Sequence, residues 1–175
     1  MDGIWSEAGR ALAREFGDIG DIESAVTVIV RLLMAVLLAA VLGYERERHE
    51  APAGLRTHML VALGAALLVL APEQAGVGPD NLTRVVQGVV SGIGFLGAGA
   101  ILKRERPGRQ VRGLTTAASI WATAAIGVAA GMGRELTALA TAMLGFVILK
   151  LLRRLEHVID PGRKHRRRAP ESPER

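Results

Sequence analysis

Cysteine is absent from this 175-residue chain, and aromatic residues make up only 3% of it. The absence of cysteine excludes a disulfide framework, a thiolate metal site and a cysteine nucleophile. Acidic residues are missing from the long apolar runs between residues 26 and 152, and short charged clusters separate these runs. A soluble protein distributes its charges over every helix surface, so this spacing indicates a membrane protein that crosses the bilayer several times. The 21 glycines suit close helix packing in lipid.

The apolar runs predict an all-α fold, a polytopic membrane helix bundle over residues 24–155. The second run is the shortest, since about 15 residues reach only about 22 Å against a hydrocarbon core of about 30 Å. The five predicted spans are Ala25–Gly43, Thr57–Ala71, Val85–Leu102, Gly113–Met132 and Leu136–Leu152.

The distribution of Lys and Arg predicts the orientation. If the N-terminus lies outside, the loops 44–56 and 103–112 and the tail from residue 150 are cytoplasmic, and they hold 17 of the 22 basic residues. The outer segments hold four, and Arg31 lies within a span. The positive-inside rule therefore predicts N-out, C-in, with an odd number of spans.

The two ends of the chain have distinct patterns. Apolar residues recur every three or four positions over residues 1–23, which predicts an amphipathic helix on the outer membrane surface; a loosely ordered acidic leader is the alternative. No apolar core follows a basic start, so this segment is not read as a signal peptide. The basic tail, residues 156–175, is predicted to be disordered and to contact anionic lipid rather than nucleic acid, since no aromatic residues interleave with its charges.

The third span contains a match to the dinucleotide-binding pattern G-x-G-x-x-G. That motif needs a strand, a tight turn and a helix N-terminus, whereas these glycines lie in the middle of an apolar run. Small residues let helix backbones approach closely, so the pattern predicts a central packing helix in which leucine at Gly92 would force helices apart. The packing residues so predicted are Gly88, Ser91, Gly92, Gly94, Gly97 and Gly99.

Four segments together resemble the MgtC/SapB family in order and spacing, over about residues 26–152. They are Gly43–Arg48, Pro52–His58, Val90–Gly99 and Val111–Trp121. The resemblance implies a five-span bacterial inner-membrane protein linked to growth at low magnesium, acid tolerance and, in some pathogens, survival in macrophages. It also implies that virulence members regulate other membrane proteins, including the rotary ATP synthase. The chain departs from that branch at Thr115 and Ala122, where the branch has Asn and Cys. Many virulence members also carry a cytosolic C-terminal domain, and the roughly 23 residues after the last predicted span are expected to be too short to fold as one.

Polar groups inside the spans are few. Arg31 lies about 9 Å inside the first span, and snorkelling to the outer headgroups is favoured over a buried partner because no span contains an acid. Thr115, Ser119 and Thr123 share one helical face, which favours hydrogen bonding between helices over a polar permeation path. The basic loops before Gly54 and Gly113 also suggest a degenerate repeat of two hairpins, with chance similarity as the alternative.

The cytoplasmic side holds the remaining candidate residues. Glu45 is expected to pair with Arg56 or Arg112, and water-mediated Mg²⁺ binding is the less favoured alternative. The candidates on this side are Glu45, Arg46, Glu47, Arg56, Arg112 and Thr115. No catalytic set, metal-ligand spacing or phosphate loop is present, so neither an enzyme nor a cofactor is predicted.

The functional hypothesis is a membrane regulator that binds a partner membrane protein or a second copy of itself through small-residue helix faces. A transporter or channel for Mg²⁺ or another ion is the alternative.

Overall fold

The computed structural model describes residues 2–15, 21–102 and 113–152, and these residues contain six α-helices and no strand. The basic loop from 103 to 112, with Arg112, and the tail from residue 153 lie outside the described residues. The helices are α1 (Asp2–Glu15), α2 (Ile22–Glu47), α3 (Leu55–Gln74), α4 (Pro79–Leu102), α5 (Leu114–Gly131) and α6 (Glu135–Val147), the last continued by a π-helical turn, Ile148–Leu152.

Four of the helices, α2 to α5, are long and apolar enough to cross a membrane. The second span is longer than its apolar run, because α3 continues through Pro72 to Gln74 and reaches 20 residues, about 30 Å. The predicted fifth span forms α6 and the π-helical turn instead of one long α-helix. The 13 residues of α6 cover only about 20 Å, so the all-α membrane bundle is confirmed with four spans, and the fifth stays a prediction.

Large apolar side chains cover the outside of the bundle. Leu37 on α2, Leu60 on α3 and Leu144 on α6 are each about 60% exposed or more. A soluble protein rarely leaves so many large apolar side chains on its surface, whereas a lipid environment solvates them. The multi-pass class predicted from the apolar runs therefore agrees with the tertiary structure.

The first helix, α1, forms as the periodicity predicts. Ile4 and Trp5 are more than 70% exposed, as expected of a helix whose apolar side chains lie in a lipid surface; its place on the outer surface stays a prediction. Asp21 then caps α2, accepting a hydrogen bond of 2.6 Å from the Ser24 backbone N–H. This hydrogen bond lowers the pKa of Asp21 because it stabilises the carboxylate.

The central helix of the bundle is α5, which packs against α2, α3, α4 and α6. The prediction that the third span is central is wrong for the described helices, because among them α4 lies at the edge and packs against α5 and α3 alone. The core at α5 is built from small side chains, including Ala62, Ala66 and Ala130, each fully buried. Small residues allow the close approach that holds helices together in lipid.

Candidate functional site

The turn between α2 and α3 is held by Glu47. Its carboxylate accepts a hydrogen bond of 2.8 Å from the backbone N–H of Leu55, the first residue of α3. A negative charge at a helix N-terminus is favourable, because the first N–H groups of a helix have no partner within it. Gly54 makes room for this contact, since a Cβ at that position would overlap the Glu47 carboxylate. The cap therefore requires both the carboxylate of Glu47 and the missing side chain of Gly54.

The returning helices α3 and α5 both begin at the leucine of a Gly-Leu pair, Gly54-Leu55 and Gly113-Leu114. The two glycines adopt different conformations, since Gly54 is extended and Gly113 has a positive φ of 105°. A Cβ on Gly113 would also collide with the carbonyl oxygen of Ala100 on α4. The proposed repeat therefore holds for where the helices begin and not for the geometry of their caps.

A buried polar group joins α3 to α5 near this turn. His58 is fully buried, and its Nδ1–H donates to the carbonyl oxygen of Gly54 over 2.8 Å. In that neutral tautomer Nε2 accepts from the hydroxyl of Ser119, 3.1 Å away, which also lies 2.9 Å from the carbonyl oxygen of Thr116. The hydroxyl proton of Ser119 is therefore shared between two acceptors. The Ser119 hydroxyl therefore forms a hydrogen bond between α3 and α5, as predicted, instead of lining a polar permeation path.

The three hydroxyl residues predicted to share one face of α5 have different surroundings. Ser119 and Thr123 are buried, whereas Thr115 is exposed at the beginning of the helix. The Thr123 Oγ1 has no hydrogen-bond partner among the described residues. Among the described residues, Ser119 is the one of the three that hydrogen-bonds to another helix.

Arg31 has an acidic partner, contrary to the prediction. Its guanidinium lies 2.9 Å from the Glu73 carboxylate and donates to the carbonyl oxygen of Gly131 over 3.0 Å. Glu73 lies beyond the predicted end of the second span at Ala71, and the extension of α3 to Gln74 brings it to this position. The guanidinium also lies over Gly133, whose φ is 66°. Three helices, α2, α3 and α5, are thus joined by one arginine.

The other candidates near the turn have separate positions. Glu45 and Arg46 are buried at the end of α2, and the Glu45 carboxylate lies 3.2 Å from His49. The predicted pair of Glu45 with Arg56 is wrong, because Arg56 is exposed and has no ion-pair partner among the described residues. The alternative pair with Arg112 stays a prediction, since Arg112 lies outside those residues.

The glycines of α4 do not contact other helices as expected. A Cβ built on Gly88, Gly92, Gly94 or Gly99 would meet no atom of the described residues within 4 Å. The exception is Gly97, which is buried, and a Cβ built on it would lie 3.5 Å from the Ala117 side chain of α5. The close backbone neighbour expected at Gly92 is therefore not found among the described residues, whereas packing of these glycines against another protein stays a prediction.

Other glycines lie at a close contact between two helices. Cβ atoms on Gly127 and Gly131 of α5 would collide with the backbone of Ala62 and Ala66 on α3. The two pairs are four residues apart on both helices, which is the small-x-x-x-small pattern of close membrane packing. Sequence reasoning missed this pair, although the spacing of Gly127 and Gly131 equals that of Gly88 and Gly92.

The described helices define a small multi-pass membrane protein whose buried polar groups hold its helices together. A family model described as the MgtC family matches residues 32–158, which includes all of the bundle except the start of α2. The chain belongs to the MgtC family.

Relatives in three bacteria extend this result. Protein SrpB of Synechococcus elongatus is 46% identical over 138 residues, which cover 73% of this chain and 76% of SrpB. Protein MgtC of Salmonella typhimurium is 47% identical over 116 residues, 66% of this chain and 48% of that protein. Protein MgtC of Brucella abortus is 44% identical over 126 residues, 72% of this chain and 51% of that protein. The chain thus spans about half the length of these MgtC proteins. No solved structure matches it.

Proposed function

We propose that this protein is a non-enzymatic regulator in the bacterial inner membrane that binds another membrane protein through α4. The observation that carries the proposal is the side of α4 that points away from α5, formed by Gln87, Ser91, Gly94 and Ala98. All four residues are exposed, whereas Val89 and Ile93 on the opposite side are buried in the bundle. We call these four residues the far face of α4.

The far face has the chemistry of a helix–helix interface. Ser91 lies near the middle of the 24-residue helix, where lipid offers no hydrogen-bond partner to an exposed amide or hydroxyl. A second helix can supply those partners, and Gly94 and Ala98 leave room for its backbone to approach closely. Binding of another membrane protein satisfies both features of this face.

Ion transport is the alternative function. A Mg²⁺ path needs oxygen ligands near the middle of the membrane. The described residues contain no group of three His, Asp or Glu that is able to hold a metal ion, and their fully buried histidine, His58, is hydrogen-bonded within the bundle. These observations favour a binding protein over a transporter. The resemblance to MgtC proteins extends the proposal to magnesium homeostasis, acid tolerance or intracellular survival.

Site-specific photocrosslinking in native membranes tests the proposal. A photoreactive residue in place of Ser91 is expected to form a discrete adduct with another membrane protein. Leu37 on α2 is the matched control, since it is exposed apolar surface outside the far face. Equal adducts at the two positions, or none at Ser91, would contradict the proposal, and an adduct of twice the chain mass would identify the partner as a second copy.

Reconstitution tests the alternative. Purified protein in liposomes is expected to give no Mg²⁺ uptake above empty liposomes. Uptake that saturates with Mg²⁺ concentration in this purified system would overturn the regulator and support a transporter.

A further inference from the structure

A groove of about 680 Å³ lies between α3 and α4, on a different side of α4 from the far face. Three glycines line it, Gly64, Gly88 and Gly92. A Cβ built on any of them would meet no atom within 4 Å. These positions therefore leave space in the groove, and its volume lies within the range of about 300–1,000 Å³ typical of ligand sites.

One end of the groove has a positively charged side chain. Arg56, in the first turn of α3, lines this end together with Thr57, and the remaining lining residues are apolar or glycine. Arg56 is exposed, and its guanidinium has no hydrogen-bond or ion-pair partner among the described residues. An arginine at the edge of a membrane is attracted to the negative charge of anionic lipid headgroups.

The length of the groove matches one leaflet. Its lining runs from Arg56 to Leu68 on α3, and from Leu96 back to Val85 on α4. Twelve helical residues correspond to about 18 Å, whereas one leaflet contributes about half of a hydrocarbon core of about 30 Å. A groove of this length is sufficient for the acyl chain of a lipid in one leaflet.

We propose that this groove binds one anionic phospholipid, with an acyl chain between α3 and α4 and the headgroup phosphate on Arg56. The apolar lining accepts the chain, and the guanidinium forms a charge-assisted hydrogen bond with the phosphate. A free phosphate does not fit this description, because the groove below Arg56 offers it no polar partner apart from Thr57. The proposal is independent of the proposed function, since it uses another side of α4.

Native mass spectrometry of the purified full chain tests the proposal with two probes that share the same acyl chains, dioleoyl phosphatidylglycerol and dioleoyl phosphatidylcholine. The parent protein is expected to retain one phosphatidylglycerol with a preference of about fivefold, the factor expected for one basic residue at an anionic headgroup. Arg56→Gln is expected to abolish the preference, and Arg56→Lys to keep it because the charge remains.

Two glycine variants test the groove itself. The Cβ position of Gly92 has open space around it, so the side chain of Gly92→Leu is expected to fill part of the groove and to reduce retention of both lipids. Gly94→Leu is the matched control, because Gly94 also has open space around it but lies on the far face, and its lipid retention is expected to equal that of the parent. Thermal unfolding of each variant verifies that the bundle is intact.

Three results would overturn the proposal. Equal retention of the two lipids by the parent protein would show that Arg56 does not select an anionic headgroup. Equal lipid retention by the Gly92→Leu and Gly94→Leu variants would show that the lipid does not bind in the groove. The third result is a dimeric parent protein that becomes monomeric in the Gly92→Leu variant while lipid retention stays unchanged. This result would show that the groove binds a second copy of the chain.

Discussion

The backbone of Ala62 on α3 occupies the space that a Cβ atom on Gly127 of α5 would need, and the carbonyl oxygen of Ala62 is its nearest atom. The contact repeats one turn later between Gly131 and Ala66. These two contacts set the distance between the central helix and α3. In lipid such close packing supplies much of the stability, because the hydrophobic effect does not favour one apolar face over another.

Gly127→Ala is therefore expected to destabilise the protein by roughly 1–3 kcal/mol, the cost of overpacking a close contact. Unfolding in mixed detergent micelles measures this free energy. Gly94→Ala is the control, since it has open space and is expected to be neutral or to stabilise the helix by up to about 1 kcal/mol. Equal effects of the two variants would show that α3 and α5 move apart without cost.

The cap of α3 predicts a non-additive pair of substitutions. Glu47→Ala removes the acceptor for the Leu55 N–H, and Gly54→Ala displaces the same carboxylate, so each is expected to cost about 1 kcal/mol. The double variant is expected to cost little more than either single one, because both lose one hydrogen bond. A double-mutant cycle of unfolding free energies measures the coupling, and strictly additive costs would contradict the shared cap.

The contacts of Arg31 predict that substitutions at Glu73 and at Arg31 have unequal effects on stability. Glu73→Gln is expected to cost at most about 1 kcal/mol, because the two side chains are 21% and 41% exposed and solvent screens their attraction. Arg31→Gln is expected to cost more, since it also removes the hydrogen bond to the carbonyl oxygen of Gly131. Unfolding in detergent compares them, and a larger loss for Glu73→Gln would mean that the ion pair outweighs the backbone contact.

The buried histidine predicts sensitivity at Ser119. Ser119→Ala leaves Nε2 of His58 without its partner, with an expected cost of about 1–3 kcal/mol. Ser91→Ala is the matched control on exposed α4 surface, where a cost within about 0.5 kcal/mol is expected. Thermal stability in detergent measures both, and a neutral Ser119→Ala would show that the hydrogen bond to His58 does not contribute.

The orientation predicts two reporter results. A reporter that works only outside the cytoplasm is expected to be active when inserted in the turn between α3 and α4, and inactive when fused at Arg175. The reason is the concentration of basic residues in the loops on the other side of the membrane. The opposite pair of activities would overturn the N-out, C-in orientation.

The sequence by itself determined that the chain crosses a membrane, and where α2 to α5 lie. Both follow from local properties, since an apolar run of sufficient length must form a helix in lipid to satisfy its backbone. The motifs between Gly43 and Trp121 also indicated the MgtC family. The fourth span was predicted to begin at Gly113, one residue before α5, whereas α3 begins at Leu55, two residues before the predicted Thr57.

Only the tertiary structure decided which small-residue helix is central. Gly88 and Gly92 on α4 have the same spacing as Gly127 and Gly131 on α5, and nothing local separates the two pairs. The backbones of Ala62 and Ala66 meet the second pair, because close packing in lipid depends on the shape of both partners. The Arg31–Glu73 and His58–Ser119 contacts join residues 42 and 61 positions apart, so their formation depends on how the helices pack rather than on any local pattern.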